Sequence, residues 1–133
     1  MKPPMISRKI EWIVEVDNEP VGIAALVGLD WMNRRAQPQL GFLNTRRAKD
    51  IVKASAMMLD FGFNKIAFKK ATSHVYEYNS KSQKYTLHIG FKEEGFLHSH
   101  VYNPKTKMRI GMYVYGYIEE DYLKNNKLHE FLT

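Results

Sequence analysis

Hydrophobic and polar residues alternate along the first predicted element, residues 8–17. The apolar residues at every second position are Ile10, Trp12, Val14 and Val16. This period of two is typical of a strand with one face towards a core. After a turn at residues 18–20, residues 21–29 are almost all apolar, which predicts a second strand buried on both faces. The two segments together predict a β-hairpin.

The spacing of apolar residues becomes helical over residues 46–61. The residues that share the inner side of this helix are Ile51, Ala54, Ser55, Met58 and Phe61. Their spacing of three and four residues is typical of a helix that packs one face on a core. A short strand at residues 37–43 precedes the helix, and residues 65–72 predict another strand after it.

A second helix is predicted to begin at Asn79 or Ser80, because Ser80 and Gln83 have the spacing of a capping box. Gly90 follows this helix, as expected of a residue that ends one. The remaining predicted elements are strands at residues 91–102 and 108–118 and a short helix at residues 119–126. The order β-β-β-α-β-α-β-β indicates an α/β (α+β) fold with a mixed, mainly antiparallel sheet.

Length and composition suit a soluble protein with one core. The chain has 133 residues, which predicts a single domain over residues 1–133. No apolar run approaches the roughly 18 residues that span a bilayer, and the first residues lack the apolar region of a signal peptide. There is no cysteine, which excludes disulfides, a thiolate metal site and a cysteine nucleophile. The expected location is the cytoplasm.

The formal net charge of +6 favours polyanionic partners, such as nucleic acid or a phosphate-rich cofactor, although a basic surface also serves solubility. No nucleic-acid-binding motif accompanies the charge. The alternating tyrosines Tyr113, Tyr115 and Tyr117 are better explained by a sheet core than by stacking on bases. Nucleic acid is therefore disfavoured as a partner.

Two separated stretches have a specific spacing. Asn79-Ser-Lys-Ser82 is followed, after seven residues, by Gly90-Phe-Lys-Glu-Glu-Gly95. This arrangement resembles the GNAT superfamily of acetyltransferases, in particular its ribosomal-protein alanine N-acetyltransferase branch, which reads N-x-x-S, seven residues, G-F-x-x-E-G. The hairpin, the Leu40-Gly-Phe42 strand and Tyr115-Gly-Tyr-Ile118 extend the resemblance over residues 10–122.

Three features depart from the resembling family. It normally begins with a strand and two helices, which this chain is expected to lack because about nine residues precede the hairpin. Its pyrophosphate-binding loop normally contains glycine, which lets the backbone approach a phosphate, whereas this chain has Arg46-Arg-Ala-Lys-Asp-Ile51. Gln39 stands where the family often has a glutamate, and an amide cannot act as a base.

The resemblance implies acetyl-CoA as the co-substrate. The residues that it suggests for binding acetyl-CoA are Leu40 and Phe42 on the third strand, Arg46, Arg47 and Lys49 where the first helix begins, and Asn79 and Lys84 on the second helix. Cations and helix N-terminal N–H groups attract a pyrophosphate. Plainer explanations stay open, because charged helix faces are often merely solvated and Asn79 is a common helix N-cap residue.

The resemblance also suggests residues for the chemistry. Ser82 matches a serine proposed to protonate the leaving thiolate, and Tyr85 is a nearby phenol that would replace it. Ordinary packing in the helix explains either residue as well. His98 and His100 are predicted to share one face of a strand, which makes His100 a candidate base because histidine titrates near neutral pH. No third ligand stands at a telling distance, so no metal site is predicted.

Two functions remain open from the sequence. The first is an N-acetyltransferase that moves an acetyl group to a primary amine of a protein N-terminus, an amino sugar or a small molecule. The second is a degenerate GNAT domain that binds CoA or a partner without catalysis, which the absent glycines and Gln39 favour. A homodimer is expected, because apolar sheet surface left uncovered tends to find a partner.

Overall fold

The computed structural model describes residues 9–43 and 48–132. The strands are β1 (Lys9–Val16), β2 (Glu19–Asp30), β3 (Arg35–Phe42), β4 (Lys70–Tyr76), β5 (Lys92–Asn103) and β6 (Met108–Ile118). The helices are α1 (Ala48–Asp60), which continues as a π-helical turn (Phe61–Lys65), α2 (Ser80–His88), α3 (Glu119–Leu123) and α4 (Asn126–His129), followed by a 3-10 turn (Glu130–Leu132). The order of the strands and of α1 and α2 is the predicted one, whereas the single helix predicted at residues 119–126 is two helices, α3 and α4.

All six strands form one sheet in the order β1-β2-β3-β4-β6-β5. Every neighbouring pair is antiparallel except β3 and β4, which are parallel because α1 crosses over between them. The parallel pairing is short and consists of Arg35 with Lys70 and Ala36 with Ala71. Beyond these two pairs the strands separate, which opens the sheet at its centre. The predicted fold class is confirmed.

The described helices pack on one face of the sheet, where two hydrophobic clusters form the core. One cluster joins α1 and the residues that follow α2 to β4 and β6, and includes Tyr115 and Tyr117, each 1% exposed. The prediction that these tyrosines belong to the core is confirmed. The second cluster packs Met58 of α1 and Phe68 against β2 and β3.

The face of the sheet opposite the helices is called the open face. Ile13 of β1 and Ile23 of β2 pair with each other there and are 69% and 58% exposed. The prediction that β2 is buried on both faces is therefore wrong at Ile23, since the apolar run of β2 contacts the helices through alternate residues such as Ala24 and Leu26.

The fourth strand begins five residues later than predicted, at Lys70 instead of residue 65. The reason is the π-helical turn at Phe61–Lys65, which extends α1 because Gly62 and Phe63 are buried. An apolar run at the end of a helix cannot be separated from the beginning of a strand by periodicity alone. The displacement matters because β4 extends to Tyr76 and so includes His74, which lies beyond the predicted strand.

Candidate functional site

A cleft opens at the centre of the sheet, where β3 and β4 separate. It encloses about 410 Å³ and lies between the two strands, with α1 and α2 on one side. Its lining residues on the helix side are Ser55, Met58, Leu59, Asn79, Ser82, Tyr85, Thr86, Ile89 and Phe91. Four of the residues predicted for the site, namely Leu40, Asn79, Ser82 and Tyr85, meet in this one cleft.

The helix wall of the cleft is defined as the lining residues that belong to α1 and α2 or that flank α2. It includes the residue that caps the beginning of α2. The Asn79 side-chain oxygen accepts the Ser82 backbone N–H at 3.2 Å, so Asn79 caps α2 and lines the cleft at the same time. The predicted capping box from Ser80 does not form. Gln83 donates instead to the carbonyls of Tyr76 and Glu77, at 3.0 Å each, because the helix begins one residue earlier than a Ser80 cap requires.

Ser82 lies on this wall with its hydroxyl free. The side chain is half-buried, and in the described part of the chain its hydroxyl makes no hydrogen bond. The Ser82 carbonyl accepts the Thr86 hydroxyl at 2.7 Å. A hydroxyl without an internal partner in a cleft is available to donate to a bound molecule.

Tyr85, one helical turn further on, has its hydroxyl engaged. The phenol donates to the Ile51 carbonyl of α1 at 3.0 Å. Since the phenol has one hydrogen, the buried Ser55 hydroxyl donates to the phenol oxygen. Burial raises the pKa of Tyr85 above its usual value, and the hydrogen bond with Ser55 opposes that shift only in part. The phenol therefore joins α2 to α1 and is a weak proton donor.

The open wall of the cleft is formed by side chains that alternate away from the helices. Ala36 and Val75 are buried in the two core clusters, so the intervening residues of β3 and β4 lie towards the open face. The residues of this wall are Gln37, Gln39, His74 and Tyr76. His74 is exposed and was missed by the sequence interpretation, because the predicted strand ended at residue 72.

His100, the predicted base, does not reach the cleft. It lies exposed on β5, the edge strand, and both β6 and β4 stand between it and the cleft. The predicted alternation with His98 is also interrupted, because the β5–β6 register shifts between Leu97 and Val101 and Ser99 has a φ of 52°. His100 is therefore left out of the candidate site.

The other predicted cofactor contacts lie outside the cleft or outside the described residues. Phe42 is at the far end of β3, paired with Gly22. Lys49 is exposed in the first turn of α1, and Lys84 is exposed on α2. Arg46 and Arg47 lie outside the described residues.

Charge is sparse in the cleft. None of the described residues that line it is an aspartate, glutamate, lysine or arginine. Over residues 9–43 and 48–132, no three histidine, aspartate or glutamate side chains are placed to hold a metal ion. The cleft is thus a neutral passage lined by apolar, amide and hydroxyl groups, with one histidine.

Over residues 9–43 and 48–132 no helix has both the length and the hydropathy needed to cross a membrane.

Solved structures with similar architecture are acetyltransferases. A spermidine N-acetyltransferase SpeG chimera from Vibrio cholerae and hSSAT has a TM-score of 0.81 at 20% identity, over 91% of this chain and 76% of that chain. A mutant of spermidine N-acetyltransferase SpeG from Vibrio cholerae also has a TM-score of 0.81 at 20% identity, over 92% and 72%.

The fold is that of the GNAT acetyltransferases.

A probable acetyltransferase gives a TM-score of 0.76 at 22% identity, over 86% of this chain and 64% of that chain. The GNAT fold was predicted and is confirmed. The ribosomal-protein alanine branch is not confirmed, since these structural neighbours include spermidine N-acetyltransferases. No family model matches the chain, and no curated protein matches it.

Proposed function

We propose that this chain is an acetyl-CoA-dependent N-acetyltransferase that acts on a primary amine. The observation that carries the proposal is the cleft between β3 and β4, where the Asn79 amide and the free Ser82 hydroxyl lie within a fold shared with N-acetyltransferases. A fold alone does not determine a reaction, whereas an amide and a free hydroxyl in the cleft supply groups that bind and react.

The cleft suits the pantetheine arm of acetyl-CoA, which is narrow, largely apolar and carries two amides. Leu40, Leu59 and Ile89 supply apolar contacts. Asn79 uses its side-chain oxygen to cap α2, so its NH₂ group is left to donate to an amide carbonyl of the arm. We also propose that the separated edge of β3 near Leu40 presents backbone groups to the thioester.

We propose that the phosphates of acetyl-CoA bind near the beginning of α1. Lys49 is exposed in the first turn of this helix, where N–H groups without intrahelical partners favour an anion. Arg46 and Arg47 precede it in the sequence and add two cations to the same segment. Lys84 of α2 is a further exposed cation for a phosphate. Cations here replace the glycines of the resembling loop.

In the proposed reaction the amine nitrogen attacks the thioester carbonyl carbon, and the carbon–sulfur bond breaks. Ser82 is the proposed donor of a proton to the leaving thiolate, and it regains that proton from solvent. Tyr85 is the poorer donor, because its hydrogen is held by the Ile51 carbonyl and burial raises its pKa. The structure thus favours the first of the two hydroxyls suggested by the sequence.

The acceptor that fits this cleft has no second cationic group. The neighbouring SpeG proteins act on spermidine, a polycation. Buried or partly buried cations require anionic partners, and no described residue that lines this cleft is a carboxylate. We therefore propose a monoamine acceptor, such as a protein N-terminus, an amino sugar or a small amine, and we do not propose a polyamine.

The test is a transfer assay with acetyl-CoA and a panel of acceptors: a peptide with a free N-terminus, glucosamine, a small monoamine and spermidine. Thiol release and the mass of the product are measured together. We expect an acetylated monoamine, formed faster than acetylspermidine. Binding of acetyl-CoA without any acetylated product would contradict catalysis and support the degenerate GNAT domain. Preference for spermidine would contradict the proposed acceptor class alone.

A homodimer is also proposed, in which the open face around Ile13 and Ile23 is covered. These two side chains are apolar, adjacent and mostly exposed, a combination that favours association. Light scattering at micromolar concentration measures the mass directly. A species of 15.6 kDa alone would contradict the dimer.

A further inference from the structure

Among the described residues that line the cleft, one side chain is of a type that changes protonation near neutral pH. That residue is His74. The other titratable groups of the lining are the phenols Tyr76 and Tyr85. Gln37 and Gln39, the residues across the cleft from His74 on β3, are amides and cannot accept a proton at neutral pH.

Acetyl transfer to an amine requires a group that accepts a proton from the amine nitrogen. A primary amine is largely protonated at neutral pH, and its nitrogen attacks only as the free base. His74 is exposed on the open wall, opposite the helix wall that contains Ser82, so the acceptor and the leaving thiolate are served from different sides. No hydrogen bond or ion pair engages His74 within the described part of the chain, so its imidazole is available.

We propose that His74 takes the proton from the acceptor amine, an inference that rests on the proposed function. One N–H bond of the ammonium group breaks, its electrons stay on nitrogen as the lone pair of the free amine, and this lone pair forms the bond to the carbonyl carbon. The second proton that nitrogen loses as the amide forms passes to water. The sulfur leaves with the electrons of the carbon–sulfur bond and takes a proton from the Ser82 hydroxyl, which regains one from solvent. The His74 imidazolium then releases its proton to water, so atoms and charge balance.

The charged groups near His74 are bound to partners other than His74. On β4 itself, Lys70 lies on the same face, and its ammonium pairs with Glu94 of β5 at 2.8 Å. Glu77, just after β4, accepts the Gly111 N–H at 2.8 Å. The remaining neighbours of His74 on this face, within residues 9–43 and 48–132, are uncharged: Gln37 and Gln39 of β3, Thr72 and Tyr76 of β4, and Met112 and Val114 of β6.

The first test compares His74→Gln with the unchanged chain over a range of pH, with the acceptor amine from the transfer assay. We expect kcat/KM at neutral pH to fall about 10²-fold, as when a general base is removed. The KM for acetyl-CoA should change less than about twofold, because His74 is on the acceptor side. The activity of His74→Gln should recover only at higher pH, where free amine accumulates, and added imidazole should restore part of it.

Two further histidine variants serve as controls. His88→Gln replaces an exposed histidine of α2 that does not line the cleft, and it should keep the full rate. His100→Gln should also keep it, because β4 and β6 separate His100 from the cleft. A rate that falls in His100→Gln and not in His74→Gln would overturn the proposal. Melting curves check that each variant is folded.

A second test does not depend on turnover. Diethyl pyrocarbonate modifies exposed imidazoles, and mass spectrometry locates the label. We expect His74 to be labelled in the free protein and protected by the acceptor amine with desulfo-CoA, while His88 is labelled equally in both samples. Equal labelling of His74 would overturn its place at the acceptor. If the unchanged chain forms no acetylated product, the proposed function is wrong. If the unchanged chain is active and His74→Gln has the same rate and pH profile, only the role proposed for His74 is wrong.

Discussion

The two walls of the cleft differ in how their polar groups are used. On the helix wall, Asn79 binds the Ser82 backbone, Thr86 binds the Ser82 carbonyl and Tyr85 binds α1. On the open wall, His74 and Gln39 are exposed and carry no such internal bonds within the described residues. Structure and function therefore overlap on the helix wall, whereas the open wall is free to serve a bound molecule.

This difference predicts separate consequences of substitution. A hydrogen-bonded group that loses its buried partner costs stability, whereas an exposed side chain away from such bonds usually changes stability by less than about 0.5 kcal/mol. Substitutions on the helix wall should lower the free energy of unfolding, except at Ser82. Substitutions on the open wall should lower activity and leave the free energy of unfolding nearly unchanged.

The largest effect is expected at Gly90, which follows α2. This residue has a φ of +118°, and an added Cβ would lie 2.3 Å from the Tyr117 hydroxyl. Gly90→Ala should lower the free energy of unfolding by at least about 3 kcal/mol, since backbone strain and overpacking add. Urea denaturation measures it. Gly95→Ala, where nothing lies within 4 Å of the new Cβ, is the matched control and should cost far less.

Ser82→Ala should separate chemistry from stability within the helix wall. Because the Ser82 hydroxyl has no partner among the described residues, its loss should leave the melting temperature nearly unchanged. Turnover should fall about 10–10²-fold, the lower part of the range for general acid catalysis, because a thiolate is already a good leaving group. The fall should appear in kcat and kcat/KM equally. Steady-state kinetics measure both.

Ser80→Ala is the control for this variant, because Ser80 is exposed on the same helix and does not line the cleft. It should keep full turnover. If Ser82→Ala also keeps full turnover, the serine is not the proton donor. If Tyr85→Phe then loses turnover, the phenol has that role, and if neither variant does, water supplies the proton.

Tyr85→Phe should have the smallest effect, and it should change stability instead of turnover, the reverse of Ser82→Ala. Loss of the phenol hydroxyl leaves the Ser55 hydroxyl, which is 2% exposed, without its partner and should lower the free energy of unfolding by about 1–2 kcal/mol. Turnover should stay within about twofold. Paired melting and kinetic measurements, with the exposed Tyr78→Phe as control, decide this. A tenfold loss of turnover at unchanged stability would contradict the structural role given to Tyr85.

The helix wall could be predicted from the sequence because its residues are close together in the chain. Asn79, Ser82 and Gly90 keep fixed offsets along one short helix, and the cap at each end depends on residue types that favour it. Helical rise then fixes where the side chains lie relative to each other. The same locality explains why the element order and the tyrosine core of β6 were predicted correctly.

The open wall could not be predicted in the same way because it depends on distant parts of the chain. The separation of β3 from β4 follows from how two strands pair across the α1 crossover. His74 was missed since the π-helical turn after α1 displaced β4, and His100 was chosen because a register break in β5 leaves no clear signal in the residue pattern. With β4 placed correctly, the alternation of residues 70–76 would have identified His74.

The central claim, that the cleft and the basic beginning of α1 hold acetyl-CoA, is tested most directly by isothermal titration at two ionic strengths. We expect binding in the micromolar range at low salt, weakened about tenfold at high salt because the phosphates meet cations near Lys49. Lys49→Ala should reduce both the affinity and its dependence on salt. No heat at millimolar acetyl-CoA in either buffer would contradict the account.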